Sequence, residues 1–344
     1  MKFNYKVLLI TILIISSCSK DDENPSSSLE NLNITPSSNA DLGSSYSNSK
    51  TDIRINYFSI PFANNTGHLR DAIANFNANG DGITDVFMAT GEFQLMGEVN
   101  SILAINDGAL NLTSSTIEFN NSMPPATHAR KSIVSDFNGD NLDDIFVFDH
   151  GVDNNPFPGS NPKYIIQNTV GSFTWSKLLD QTGFHHGGAS ADIDNDGDID
   201  VFVGGFDPFF YVNNGQGNLL KVDNRFDKSI QKIFSAELID VDKDGFVDLL
   251  VGAHEQDGDN TSIYWGNTSG SYSNNLRTVL PALDNYGTVL DFDAEDLDGD
   301  GDRDLIINRT GGGNNNFYIG RRIQLLLNDT GREFTEATNQ IDNP

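Results

Sequence analysis

Oxygen-bearing side chains recur in five nine-residue segments with one spacing. They are Asn77, Asn79, Asp81 and Asp85; Asp136, Asn138, Asp140 and Asp144; Asp192, Asp194, Asp196 and Asp200; Asp240, Asp242, Asp244 and Asp248; and Asp296, Asp298, Asp300 and Asp304. Segment starts lie 59, 56, 48 and 56 residues apart, so the chain is an internal repeat. Side-chain oxygens at positions 1, 3, 5 and 9 converge only if the backbone turns tightly around one centre. Position 6 takes that turn, and it is Gly82, Gly197, Gly245 and Gly301 in four copies and Asn141 in the other. An all-oxygen donor set suits a hard divalent cation such as calcium, with a backbone carbonyl from position 7. Without an ion, the clustered carboxylates repel one another. The first copy is degenerate, with Asn77 and Asn79 for Asp and a second register available from Asn75.

A helix–loop–helix calcium hand requires a bidentate Glu at position 12. Here that position is Met88, Val147, Val203, Val251 and Ile307. No amphipathic helix succeeds any loop. Each loop instead runs into a short apolar stretch: Val86–Met88, Ile145–Phe148, Val201–Val203, Leu249–Val251 and Leu305–Ile307. Such stretches, bounded by turns, predict strands buried on both faces. A strand leads into each loop, as at Ser132–Val134 and Ala236–Ile239. Two more come after it, separated by polar turns, as in Tyr164–Asn168 then Gly171–Phe173 and Leu325–Asn328 then Gly331–Phe334. Four strands per roughly 55 residues is the pattern of a propeller blade.

The Asp-x-Asp-x-Asp-Gly-x-x-Asp loop, the apolar strand and the Asn-x-x-Gly-x-Phe turn together resemble the FG-GAP/VCBS repeat family, to which integrin α-chain blades are similar. The resemblance covers about residues 60–340. It implies an all-β fold: a β-propeller of five four-stranded blades with a calcium loop in the first hairpin of each, holding four to five structural Ca2+ ions in all. Closure of the ring has two candidates. Ile53–Pro61 looks like a fourth strand, comparable to Thr116–Pro124 and Thr278–Pro281, and Phe334–Thr338 competes for the same place.

Three regions are expected: 1–17, 18–50 and the propeller at 51–344. Lys2 and Lys6 precede an apolar stretch from Val7 to Ile15, too short to span a bilayer and of secretory-signal length. It runs into Ile15-Ser16-Ser17-Cys18, which resembles a bacterial lipoprotein cleavage site, with Cys18 as the lipidated residue. Asp21, Asp22 and Glu23 resemble the tag that exports lipoproteins of Bacteroidetes-type bacteria to the outer face of the outer membrane. The Ser/Asn-rich stretch to residue 50 reads as a tether. Cys18 is the sole cysteine, which excludes an intramolecular disulfide and a thiolate cluster. A formal net charge of −28 argues against nucleic-acid partners.

The six histidines count to the end of each hairpin away from the acidic tip: His68, His128, His185 and His186 before their loops, His150 and His254 after. His68-Leu-Arg70 and His128-Ala-Arg130 share a pattern, and Arg forks suit carboxylates. Family packing habit is the plain reading of these residues. Trp175 and Trp265 fall inside predicted strands and read as packing residues, and the glycine-rich run from Gly311 to Asn316 reads as a loop. There is no Gly-x-Ser-x-Gly elbow. The expected function is a non-catalytic, surface-anchored module binding an extracellular glycan or protein. The alternative is a polysaccharide lyase using His68, His128, His185, Arg70, Arg130 and Tyr286.

Overall fold

The computed structural model describes residues 69–341 apart from 92–96, 110, 180, 228, 229, 231, 312–319 and 330. The leader, Cys18, the tether, Ile53–Pro61, His68, the 312–316 run and the side chain of Arg70 therefore lie outside the described residues. No helix among the described residues is long and apolar enough to cross a membrane.

Five four-stranded antiparallel sheets succeed one another along the chain. Sheet 1 is Leu69–Phe76, Asp85–Gly91, Ile102–Asn106 and Leu112–Ser115. Sheet 2 is Ala129–Ser135, Asp144–Asp149, Lys163–Thr169 and Ser172–Lys177. Sheet 3 is Gly187–Ala191, Asp200–Gly204, Phe209–Val212 and Leu220–Val222. Sheet 4 is Ile233–Ile239, Asp248–Ala253, Ser262–Tyr264 and Arg277–Val279. Sheet 5 is Thr288–Glu295, Asp304–Thr310, Arg321–Asn328 and Phe334–Glu336. A two-stranded ladder, Val99–Asn100 with Pro125–Ala126, flanks sheet 1.

Each acidic loop is the tip of the first hairpin of its sheet. The register is the same five times: Phe76 faces Asp85, Ser135 faces Asp144, Ala191 faces Asp200, Ile239 faces Asp248 and Glu295 faces Asp304. The position-9 Asp therefore opens the second strand in every copy. This also settles the first loop on the register that starts at Asn77 rather than Asn75.

The apolar runs after the loops are buried on both faces in sheets 2, 3 and 4, as their lack of alternation predicts. Neighbouring sheets share four cores. Phe87 and Leu103 meet Val147 and Phe173 between sheets 1 and 2, and Phe146 and Phe148 meet Phe209 and Tyr211 between 2 and 3. Phe202 and Phe210 meet Leu249 and Tyr264 between 3 and 4, and Leu250 and Trp265 meet Phe292 and Leu305 between 4 and 5. Fully burying one such side chain contributes about 1.5–3 kcal/mol. First strands of successive sheets pack side by side. Lys131, on the first strand of sheet 2, also reaches the Ala236 carbonyl and the Glu237 carboxylate on the first strand of sheet 4. First strands of sheets that are not consecutive thus converge, and the arrangement is β-propeller-like.

Two local expectations are corrected. Thr116–Pro124 is not a fourth strand, because Leu112–Ser115 holds that place. Ile117–Phe119 forms a 3-10 turn, ended by Asn120 and Asn121 at positive φ (49° and 60°), which drops Phe119 into the core between sheets 1 and 2. The fourth strand of sheet 5 is Phe334–Glu336, paired with Leu326–Asn328, so the C-terminal candidate takes that edge.

Candidate metal centre

Each tip is wound by its own carboxylates. The position-5 carboxylate accepts the N–H of position 7 in all five copies: Asp81 from Ile83, Asp140 from Leu142, Asp196 from Asp198, Asp244 from Phe246 and Asp300 from Asp302, at 2.8–3.0 Å. Position 1 accepts from the turn it starts, as Asp136 Oδ2 does from Asn141 and Asp192 Oδ2 from Gly197. Position 6 is left-handed throughout, with φ of 82°, 66°, 93°, 91° and 103° at Gly82, Asn141, Gly197, Gly245 and Gly301. So is position 4: Gly80, Gly139 and Gly299, but also Asn195 and Lys243, both at 59°. Reading the spacing singled out only position 6. A lysine in the left-handed region gives no warning in sequence, and Lys243 is held there as its ammonium reaches the Gly301 carbonyl of the next loop.

Position 9 carries a second duty that spacing does not reveal. One oxygen of each buried carboxylate accepts the N–H of loop position 2, and the other accepts an N–H just past the third strand or within it. Asp85 takes Ala78 and Asn106, Asp144 takes Phe137 and Gln167, and Asp200 takes Ile193 and Asn213. Asp248 takes Val241 and Gly266, and Asp304 takes Leu297 and Asn328. The brace ties loop, second strand and third strand together. Burial pushes the Asp144 carboxyl up to about 6 and those of Asp200 and Asp248 up to about 7, against the pull of those N–H groups.

In three loops carboxylate oxygens converge within 4.8 Å of one another: Asp192, Asp194 and Asp200; Asp240, Asp242 and Asp248; and Asp296, Asp298 and Asp300. Two oxygens in these groups, Asp194 Oδ1 and Asp240 Oδ1, are buried without a hydrogen-bond partner. A buried carboxylate oxygen with nothing to accept from is costly. An oxygen-only donor set with unsatisfied buried oxygens fits a hard cation.

The opposite ends of the hairpins carry the imidazoles. His128 and His150 flank the far end of the first hairpin of sheet 2, with rings 4.3 Å apart. His150 stacks on Phe184 at 4.3 Å and lies 5.5 Å from His186, whose ring packs on Phe234 at 4.2 Å. Phe234 in turn stacks on His254 at 4.9 Å. Beneath them Asp149 is fully buried, accepting from the Thr127 and His128 amides, Ser160 Oγ and Lys163 Nζ, the last at 2.6 Å. Burial would raise its carboxyl, but the Lys163 pair and these amides win and hold it below the usual range.

Arg130 and Phe234 occupy the extra residue of a bulge in the first strands of sheets 2 and 4, and a bulge re-aims a side chain. Arg130 Nη1 lies 3.2 Å from His128 Nε2. The structure therefore brings Arg130 together with His128. His185 turns elsewhere, its ring on Phe209. Tyr286 precedes sheet 5, and its carbonyl is held by Arg309. His150 Nδ1 and His186 Nδ1 bond the Gly151 and Phe234 carbonyls at 2.7 and 2.8 Å. Burial lowers His150 to about 3 and His185 to about 4, and drives His186 well below its ordinary value, so these imidazoles are neutral at physiological pH. Trp175 and Trp265 pack against cores, with Nε1 donating to the Ser122 carbonyl at 2.7 Å and Thr278 Oγ1 at 3.0 Å.

Residues 136–203 and 240–307 each match the FG-GAP-like repeat. Both matches begin at the first Asp of an acidic loop and end within the second strand of the next sheet. No curated protein matches the chain. Among solved structures, that of a presumed gluconolactonase is similar at 13% identity and a TM-score of 0.34, covering 72% of this chain and 94% of that one. The chain thus carries two FG-GAP-like repeats, lying along sheets 2 to 5.

Proposed function

We propose that this chain is a calcium-stabilised, five-bladed propeller that acts as a non-catalytic binding module for an extracellular glycan or protein. It is tethered to the outer membrane through a lipid on Cys18. The observation that carries the reading is the fivefold recurrence of one oxygen-lined hairpin tip, with Asp194 Oδ1 and Asp240 Oδ1 buried and unsatisfied. Asp192, Asp194, Asp196 and Asp200, and their counterparts in the other loops, would hold the ions. Each ion supplies positive charge that relieves carboxylate repulsion and ties a hairpin tip down. The proposed ligand would meet the opposite end, where Arg130 stands beside His128. A binding role is preferred to lyase chemistry because His185 turns onto Phe209, away from the Arg130–His128 pair with which it would have to act.

The test is elemental analysis of purified protein, then a glycan array and pull-down with and without EDTA. Calcium at four to five equivalents, with ligand retention lost in EDTA and in Arg130→Ala, supports the reading. Calcium-free protein that binds as well sinks its first half. An unsaturated product released from a uronate polysaccharide would replace the module with an enzyme.

A further inference from the structure

We propose that Arg332 and Arg225 are resident counter-cations of the acidic loops of sheets 4 and 3. Among the described residues, no Lys or Arg pairs in this way with the carboxylates of the fifth loop. Arg332 lies in the turn between the third and fourth strands of sheet 5. Its Nε donates to Asp242 Oδ2 at 2.6 Å and its Nη2 to Asp244 Oδ2 at 3.1 Å, loop positions 3 and 5. Its guanidinium also stacks over Trp265, 4.7 Å from the ring centroid. Arg225 comes after the fourth strand of sheet 3 and donates Nη2 to Asp194 Oδ2 at 3.0 Å, loop position 3. It is pinned to sheet 4, with Nη1 donating to the Ser269 carbonyl and its own carbonyl accepting from Tyr272 N at 2.7 Å.

In both loops the arginine takes Oδ2 of the position-3 carboxylate, while a different oxygen stays unsatisfied: Asp194 Oδ1 in one, Asp240 Oδ1 in the other. The arginine therefore neutralises part of the loop without filling it. Each loop concentrates four carboxylates, whose mutual repulsion opens the hairpin tip when no ion is bound. A guanidinium bonded to one or two of them offsets that repulsion and ties the tip to the neighbouring sheet. Among the described residues, no Lys or Arg forms an ion pair with Asp296, Asp298 or Asp300, all three exposed. The fifth loop is the internal comparison: it has the same acidic spacing, and Lys243 reaches its Gly301 carbonyl but pairs with none of its carboxylates.

The inference rests on the reading that these loops bind calcium only for its reversal arm. The experiment is amide hydrogen exchange of the full chain, tracking peptides over 192–200, 240–248 and 296–304, in EDTA and in saturating Ca2+. Amides held by loop carboxylates, such as Phe246 on Asp244 and Asp302 on Asp300, are the reporters. In EDTA the 296–304 peptide exchanges faster than the other two by roughly three- to tenfold, the protection expected of a partly exposed but forked arginine pair. Arg332→Met, which keeps an unbranched stem but gives up the guanidinium's contact with Trp265 along with its ion pairs, brings 240–248 to the level of 296–304 and leaves 192–200 unchanged. Arg225→Met does the mirror image. An unchanged 240–248 peptide in Arg332→Met overturns the proposal, and so does a rise shared by all three loops, which would reflect lost sheet packing. Calcium that slows no loop refutes the metal reading and leaves the EDTA comparison to decide the arginines.

Discussion

Replacing His150 with Asn should make the protein more acid-resistant, by an amount the structure sets. His150 is fully buried, and its Nδ1 donates to the Gly151 carbonyl, a bond that the Asn amide can reproduce. Burial first, then the His128 and Arg130 charges, lowers its pKa from 6.5 to about 3. The unfolded chain therefore takes up a proton below about pH 6.5 that the folded chain refuses until about pH 3. Stability is complete above 6.5 and falls as pH drops through that window. At pH 5 the gap from 6.5 is 1.5 units, worth about 2 kcal/mol at 1.36 kcal/mol per unit. The assay is urea unfolding of parent and His150→Asn at pH 7.5 and 5.0 with calcium in excess. The Asn variant loses packing against Phe184 at both pH values, so only the change in its difference from the parent counts. That difference should move by about 2 kcal/mol in favour of the variant at pH 5. Other acid-sensitive groups, the loop carboxylates included, are common to both proteins and cancel. A shift below about 0.5 kcal/mol would mean that His150 is not held neutral by burial, and the account of the imidazole end would fail.

Asp248→Ala strands the buried amides of Val241 and Gly266 and should cost about 2–5 kcal/mol in chemical denaturation with EDTA present, whereas exposed Asp296→Ala should cost under about 1 kcal/mol. Equal costs would remove the bracing role from position 9. Chelation, checked by elemental analysis, should lower the melting temperature by more than about ten degrees, since several ions at 1,000 times their dissociation constant contribute about 4 kcal/mol each. An unchanged melt with the metal gone would take calcium out of the stability of the fold. Cys18→Ser should move the protein from the membrane fraction to the soluble one, and replacing Asp21, Asp22 and Glu23 with Ala should shield it from protease added to intact cells; continued shaving of that variant would discard the acidic-tag reading.

The hairpins were legible without any structure, because everything that makes them lies within about a dozen consecutive residues. The acidic spacing, the turn residue at position 6 and the apolar run after position 9 act through local backbone geometry and burial. Sheet order is a consequence, since short polar turns leave each strand little choice but to pair with the one before it. Tertiary structure decided whatever depends on partners distant along the chain. Asp304 spends both oxygens on the amides of Leu297 and Asn328, and only the folded sheet places the second of these beside it. Arg332 reaches Asp242 from 90 residues away, a pairing no periodicity encodes. The choice of Phe334–Glu336 as the last edge strand, and the burial that strips His150 of its proton, are likewise properties of the packed molecule. Local patterns fix which elements form, because turns and strands are decided over a few residues. Desolvation and long-range pairing exist only once the sheets have closed on one another, so the chemistry of the carboxylates and imidazoles had to wait for the fold.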